Sequence, residues 1–158
     1  MSDFAAFARL VTRRFADLEA ENERLKLRLD NLLREGRVES VDPETGTAEV
    51  DMNGLRSDKL SWAQRAGSIR DWDPPSQGER VLVLNPSGDP GLGIIFPGGY
   101  SDAFPQPHRQ AGEFFKQIGA SSILMTGEKL VLTVGGSSFT LEAGVITLKS
   151  PSFKGVRG

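Results

Sequence analysis

Arg37-Val-Glu-Ser-Val-Asp42, Pro43-Glu-Thr-Gly46, Thr47-Ala-Glu-Val-Asp-Met52: across these residues polar and apolar side chains alternate on either side of a turn sequence. That is the pattern of an antiparallel hairpin with one face buried. Glu49 and Asp51 then fall on its wet face. Downstream, Lys59-Leu-Ser-Trp-Ala63, Glu79-Arg-Val-Leu-Val-Leu84 and Gly93-Ile-Ile-Phe96 read as three more strands. Five short strands in about 65 residues predict a small barrel of the OB type over residues 37–100.

Upstream of the hairpin the period is seven, not two. Residues 1–35 contain no glycine and no proline. Phe4, Ala8, Val11, Phe15, Leu18, Asn22, Leu25, Leu29 and Leu32 recur in steps of four and three, the a and d positions of four heptads. Arg13, Arg14, Glu19, Glu21, Glu23, Arg24, Lys26 and Arg28 flank them as a solvated face. This predicts a helix over 1–36, stopped by Gly36, which can enter the left-handed cap conformation cheaply. The stripe needs a partner surface, in a coiled coil or against the chain's own domain. Asn22 at a core position would fix register, and leucines at both a and d leave the strand number open.

Beyond a proline-bearing break, read as a linker over 101–112, the chain turns to short glycine-punctuated strands. Lys129-Leu-Val-Leu-Thr-Val134, Ser138-Phe-Thr-Leu-Glu142 and Val145-Ile-Thr-Leu-Lys149 are separated by Gly135-Gly136 and Ala143-Gly144. One face would carry Leu130, Leu132, Val134, Phe139, Leu141, Ile146 and Leu148, the other Thr, Ser, Lys and Glu. Residues 113–158 cannot bury such a face alone, because an isolated ribbon is marginal in water. It must pack on the barrel or on copies of itself. Burial between chains is favoured, since the Pro105 and Pro107 link would hold it off the barrel.

Composition excludes most chemistry. Nineteen basic residues against 21 acidic give a net charge of -2, which argues against a general nucleic-acid binder. No apolar run reaches membrane-span length, and the N-terminus lacks a signal-peptide pattern. Zero cysteines remove disulfides and thiolate chemistry and fit a reducing compartment. His108, the one histidine, reads as a solvated linker residue. Gly91-x-Gly93 lacks the third glycine of a dinucleotide loop, and Ser87 lacks the glycine two residues before it that a nucleophile elbow needs. Asp71 and Asp73 flank Trp72 in what reads as a loop anchored by a buried tryptophan rather than a cation site. Neither an enzyme nor a cofactor is expected.

Residues 70–101 are the distinctive stretch. The run Trp72-x-Pro74-Pro75-x-x-Gly78-Glu79, the turn Pro86-Ser-Gly88-Asp89 and the closing Gly99-Tyr100-Ser101 resemble the phage baseplate assembly protein V family. That family forms the central spike of contractile tails and tail-derived bacteriocins. Gly36-Arg-Val-Glu-Ser-Val-Asp42 and Leu60-Ser-Trp62 resemble its barrel, and the tail resembles its strand repeats. The resemblance covers roughly 33–150. It implies a mainly β chain: an N-terminal helix, an OB-fold barrel, then a trimeric, intertwined β-helix or β-prism tail that narrows to a point. It also implies a homotrimer on the tail axis of a virion or tail-like particle, assembled in the bacterial cytoplasm and bound by baseplate and tail-tube proteins. Sheath contraction would push it through the target's outer membrane.

Leu18, Asn22, Leu25, Leu29, Leu32 and the seven apolar tail residues are then the trimer-core candidates. Complete needles of the family often end in a His-x-His pattern that holds iron at the apex. Here Ser150-Pro-Ser-Phe-Lys-Gly-Val-Arg-Gly158 has no histidine, so no apical iron is expected. Either a separate PAAR-type tip protein docks around 145–158, or the spike is short and blunt. The alternative from another class is an oligomeric OB-fold module for single-stranded nucleic acid or carbohydrate, with Trp62 and Trp72 as stacking platforms.

Overall fold

The computed structural model describes residues 2–155. By its internal contacts the chain divides into two units, Met1–Pro105 and Gln106–Gly158, the break falling inside the 101–112 stretch. No helix among the described residues is long and apolar enough to cross a membrane.

Helix α1 runs Ser2–Leu32, through residues of good helix propensity with no breaker among them. It ends four residues before the expected stop, and Gly36 lies inside the first strand instead. The last turn of a helix leaves carbonyls without intrahelical donors. Here Asn85 supplies two donors: its backbone N–H to the Leu32 carbonyl at 2.8 Å, and its Nδ2 to the Asn31 carbonyl, also at 2.8 Å. Asn85 is fully buried. A side chain 54 positions away thus caps the helix, and no left-handed glycine is needed.

The barrel follows without a loop. β1 (Leu33–Asp42), β2 (Thr47–Asp51), β3 (Leu60–Trp62), β4 (Arg80–Leu84) and β5 (Ile94–Pro97) close in the order β1-β2-β3-β5-β4. β1 is long enough to serve two neighbours: its first half pairs with β4 and its second with β2. The register shifts between Val38 and Ser40, an irregularity of the kind that bends a strand. β3 and β5 run parallel, and the remaining pairs are antiparallel. Gly36 sits at the close approach. A Cβ there would lie 2.5 Å from Val50 Cγ1 and 2.7 Å from the Asp51 carbonyl oxygen, so a side chain would push the strands apart. Inside, Val38, Val50, Leu60, Val81, Val83 and Ile95, with Ala48 and Met52, form one core. Each large member buried contributes about 1.5–3 kcal/mol.

The second unit is one antiparallel meander, ordered β10-β9-β8-β7-β6. To the three strands expected, β8 (Lys129–Val134), β9 (Ser137–Glu142) and β10 (Val145–Lys149), it adds β6 (Phe114–Ile118) and β7 (Ser121–Met125). Thr126 is not on a strand: its hydroxyl accepts from the N–H groups of Glu128 and Lys129 and closes the β7–β8 turn. No described residue of this unit is buried.

Candidate functional site

Register fixes which side chains of the second sheet share a face, because residues opposite each other in an antiparallel pair point the same way. Leu130 faces Leu141, which faces Ile146; Leu132 faces Phe139, which faces Leu148. Val134 stands at the end of the same face, opposite Ser137. All seven residues expected together are together. β7 and β6 extend their rows with Met125 and Phe114, then Ile123, then Ile118 beyond Ser121. These four were missed because the Phe114-Phe115 pair and the Ser121-Ser-Ile-Leu-Met125 run do not alternate.

The face is largely open, with Lys116 opposite Ile123 at its β6 edge. Within one chain Val134 and Ile146 are each 65% exposed, and Leu148 is exposed as well. A contiguous apolar patch of this kind marks an interface, since singly scattered apolar residues are the normal surface state. On the opposite face Phe115, Leu124 and Val131 form one apolar row that turns to Thr140 and Thr147, with Val145 beyond it opposite Glu142. Both outer strands, β6 and β10, leave an edge unpaired among the described residues, and such edges are templates for another chain.

His108, expected to be solvated, is half-buried: its Nε2 lies 2.7 Å from Glu113 Oε2, and its ring stacks on Phe115 at 4.9 Å. Residues 156–158 of the expected docking edge lie outside the described residues.

On α1 the stripe is equally open. Leu18, Leu25, Leu29 and Leu32 are exposed, and so is Asn22.

In the barrel the motif residues serve chiefly as joints. Gly78, with φ +82°, donates its N–H to the Val38 carbonyl at 2.8 Å. Val38 N–H in turn bonds the Glu79 carbonyl at 3.0 Å, so the pair knits the approach to β4 onto β1. Glu79 Oε2 also accepts from the Ser76 N–H at 2.8 Å. Pro86 sits in a turn closed by the Gly88 N–H on the Asn85 carbonyl. Asp89 Oδ1 caps the short 3-10 turn Pro90–Leu92 by accepting from the Gly91 N–H. Pro74 and Pro75 line a cleft with Trp62, Val81 and Phe96. Gly99 has φ +85°, and Tyr100 beside it is exposed.

Trp72 corrects the expected loop anchor. It is 63% exposed and meets Trp62 edge-on at 5.4 Å. The barrel interior is already filled by aliphatic side chains, so this indole stays on the lip.

Three of the barrel's basic residues are paired with carboxylates. Arg56 bridges Glu39 and Glu49, Lys59 holds Asp42 at 2.9 Å, and Arg80 holds Glu35 at 2.7 Å. Hydrogen bonds from Lys59 and then Thr45 lower the Asp42 carboxyl to about 2. Arg56 lowers Glu49, and Arg80 lowers Glu35, each first through a side-chain hydrogen bond. Among the described residues no three His, Cys, Asp or Glu side chains are grouped to hold a metal.

Comparison with known proteins agrees with this geometry. The chain is 30% identical over 136 residues to the spike protein of Escherichia phage P2, a match over 84% of this chain and 64% of that protein. It therefore spans less than two thirds of that relative's length. The family description "Type VI secretion system/phage-baseplate injector OB domain" matches residues 34–100, which is the closed barrel from β1 through β5. The barrel, residues 34–100, is thus the part of the chain that matches the phage-baseplate and type VI secretion injector OB domain.

Proposed function

We propose that this chain is the central spike subunit of a contractile-tail baseplate, working as a homotrimer with no bond chemistry of its own. The observation that carries the reading is the second sheet: five strands, a broad apolar face, two open edges and, among its described residues, none buried. Three copies cover one another's faces around an axis and pair the free edges, which gives a thin, stiff object. The α1 stripe supplies a second trimer contact. In this reading the barrel is the platform for baseplate and tail-tube proteins, the sheet points away from the tube, and sheath contraction drives it through the outer membrane. The distal end either seats a separate PAAR-type tip protein or stays short and blunt.

The reading is tested on purified particles by electron microscopy with an antibody raised against residues 106–155. Label at the distal, axial end of the baseplate is expected. Label elsewhere on the particle, or none, would overturn it.

One observation favours the binding-module alternative. Trp62, Trp72, Arg65 and Arg70 line one shallow groove of the barrel. Under that reading a single-stranded nucleic acid or an oligosaccharide binds there, in a salt-sensitive way for the nucleic acid, and binding is lost in Trp62→Ala or Trp72→Ala. The spike reading expects neither ligand to bind.

A further inference from the structure

The first half of α1 carries on one flank two exposed apolar residues that a trimer seam does not require; the second half has one off-seam apolar residue, Leu27, on the side away from the seam. Phe7 and Leu10 lie off the a and d positions, yet they are 62% and 68% exposed. With Arg14 they follow at i, i+3 and i+7, a line running beside the seam on one flank of the helix. The same line continues as Asp17, Glu21, Arg24 and Arg28, the mixed-sign flank of an ordinary coiled coil. Charge changes at the same place. Between Phe4 and Ala16 there are three arginines, Arg9, Arg13 and Arg14, and no acid, in a chain whose net charge is -2. From Asp17 to Asp30 there are five acids and three bases. Arg13 and Arg14 make no ion pair among the described residues, whereas Lys26, further along the helix, pairs with Glu23 at 2.8 Å.

We propose that residues 4–15 are a docking segment, by which the base of the spike binds an acidic, apolar-lined surface on a neighbouring baseplate or tube protein. This rests on the spike reading for the particle concerned. Aromatic residues interleaved with arginine are the composition of protein–protein interface cores. Charge complementarity sets the sign of the partner: three arginines from each of three copies, with no acid among them, form a positive collar. A lipid surface fits less well. A helix lying in a bilayer interface would draw Phe4, Val11 and Phe15 into the lipid, away from the seam they continue toward Leu18, and it separates its arginines from its aromatic residues.

The test uses the full chain. Wild type, Phe7→Ser/Leu10→Ser and Arg13→Glu/Arg14→Glu are each supplied to cells assembling tail particles without the native copy. Spike content is then measured in sedimented particles, and solution mass in the purified proteins. Both variants are expected to keep the wild-type mass while entering particles at least about tenfold less well, the loss of one or two interface anchors. Arg13→Lys/Arg14→Lys restores most of the incorporation. Wild-type incorporation of both variants overturns the proposal. A fall in mass for Phe7→Ser/Leu10→Ser also overturns it, because those residues then belong to the seam. Vesicles of phosphatidylglycerol and phosphatidylethanolamine are the second probe: binding by wild type that the variants lose makes the segment a lipid anchor instead. Absence of the wild-type chain from particles counts against the spike reading itself, a separate failure.

Discussion

The barrel and the C-terminal sheet each have five strands and comparable aliphatic content, yet only one of them makes a core. In the barrel the strands close on themselves, and Val50, Val83 and their neighbours are sealed by the chain that carries them. In the sheet the same kinds of side chain line up just as regularly, but none of the described ones is buried within one chain. Alternating apolar residues therefore specify a face; closure decides who covers it. A barrel folds as a monomer's property, whereas an open meander with bare rows transfers its stability to an assembly.

The sharpest break of this contrast is a charge on the sheet face. Leu132→Asp or Leu141→Asp brings like charges together in the proposed trimer core, at a cost on the order of 3–5 kcal/mol for uncompensated buried charge. Each should disperse the multimer while the barrel's own unfolding transition persists, seen by light scattering beside a denaturant melt. A multimer unaffected by either change removes those residues from the core. The reciprocal change is Ile95→Ala. It should cost about 2–5 kcal/mol in the barrel transition and leave the sheet's assembly intact, because the cavity lies in a core one chain owns.

Smaller effects probe the barrel's closure. Gly36→Ala places a methyl against Val50 and the Asp51 backbone, and overpacking of this kind costs about 1–3 kcal/mol. Asn85→Ala removes the Nδ2 donor to the Asn31 carbonyl. It should cost about 1–3 kcal/mol and appear as faster amide exchange over the last turn of α1. The smallest effect is a pH term confined to the barrel. Asp42 is depressed to about 2 from 3.8, so its contribution is complete above pH 3.8 and is lost as pH falls toward 2. Acid titration of the barrel melting temperature should show that decline, and Asp42→Asn should flatten it between those values. An equal slope in both proteins would separate Asp42 from the effect.

Much of this was legible in the chain's periodicities. The heptad gave the helix, alternation gave the β1–β2 hairpin and β8, β9 and β10, and short apolar runs between turn residues gave β3, β4 and β5. Two kinds of feature escaped. Strands β6 and β7 have apolar residues on both faces, such as Phe114 beside Phe115 and Leu124 between Ile123 and Met125, so the period-two signal disappears. The other kind depends on partners distant in sequence. Asn85 caps a helix that ended 53 positions earlier, which made Gly36 look like the stop it is not. His108 found Glu113 and Phe115, and Trp72 stayed outside a barrel already full. Of the candidate site, the rows on β8 to β10 were readable from the sequence, and their extension across Ile123, Met125 and Phe114 was not.

Absolute mass in solution, by light scattering on a sizing column at low concentration and moderate salt, tests the trimer most directly. Three chains of 17.2 kDa give about 52 kDa, the expected result. A species of 17.2 kDa would mean that a single chain covers the sheet face by itself, and it would contradict the trimeric spike.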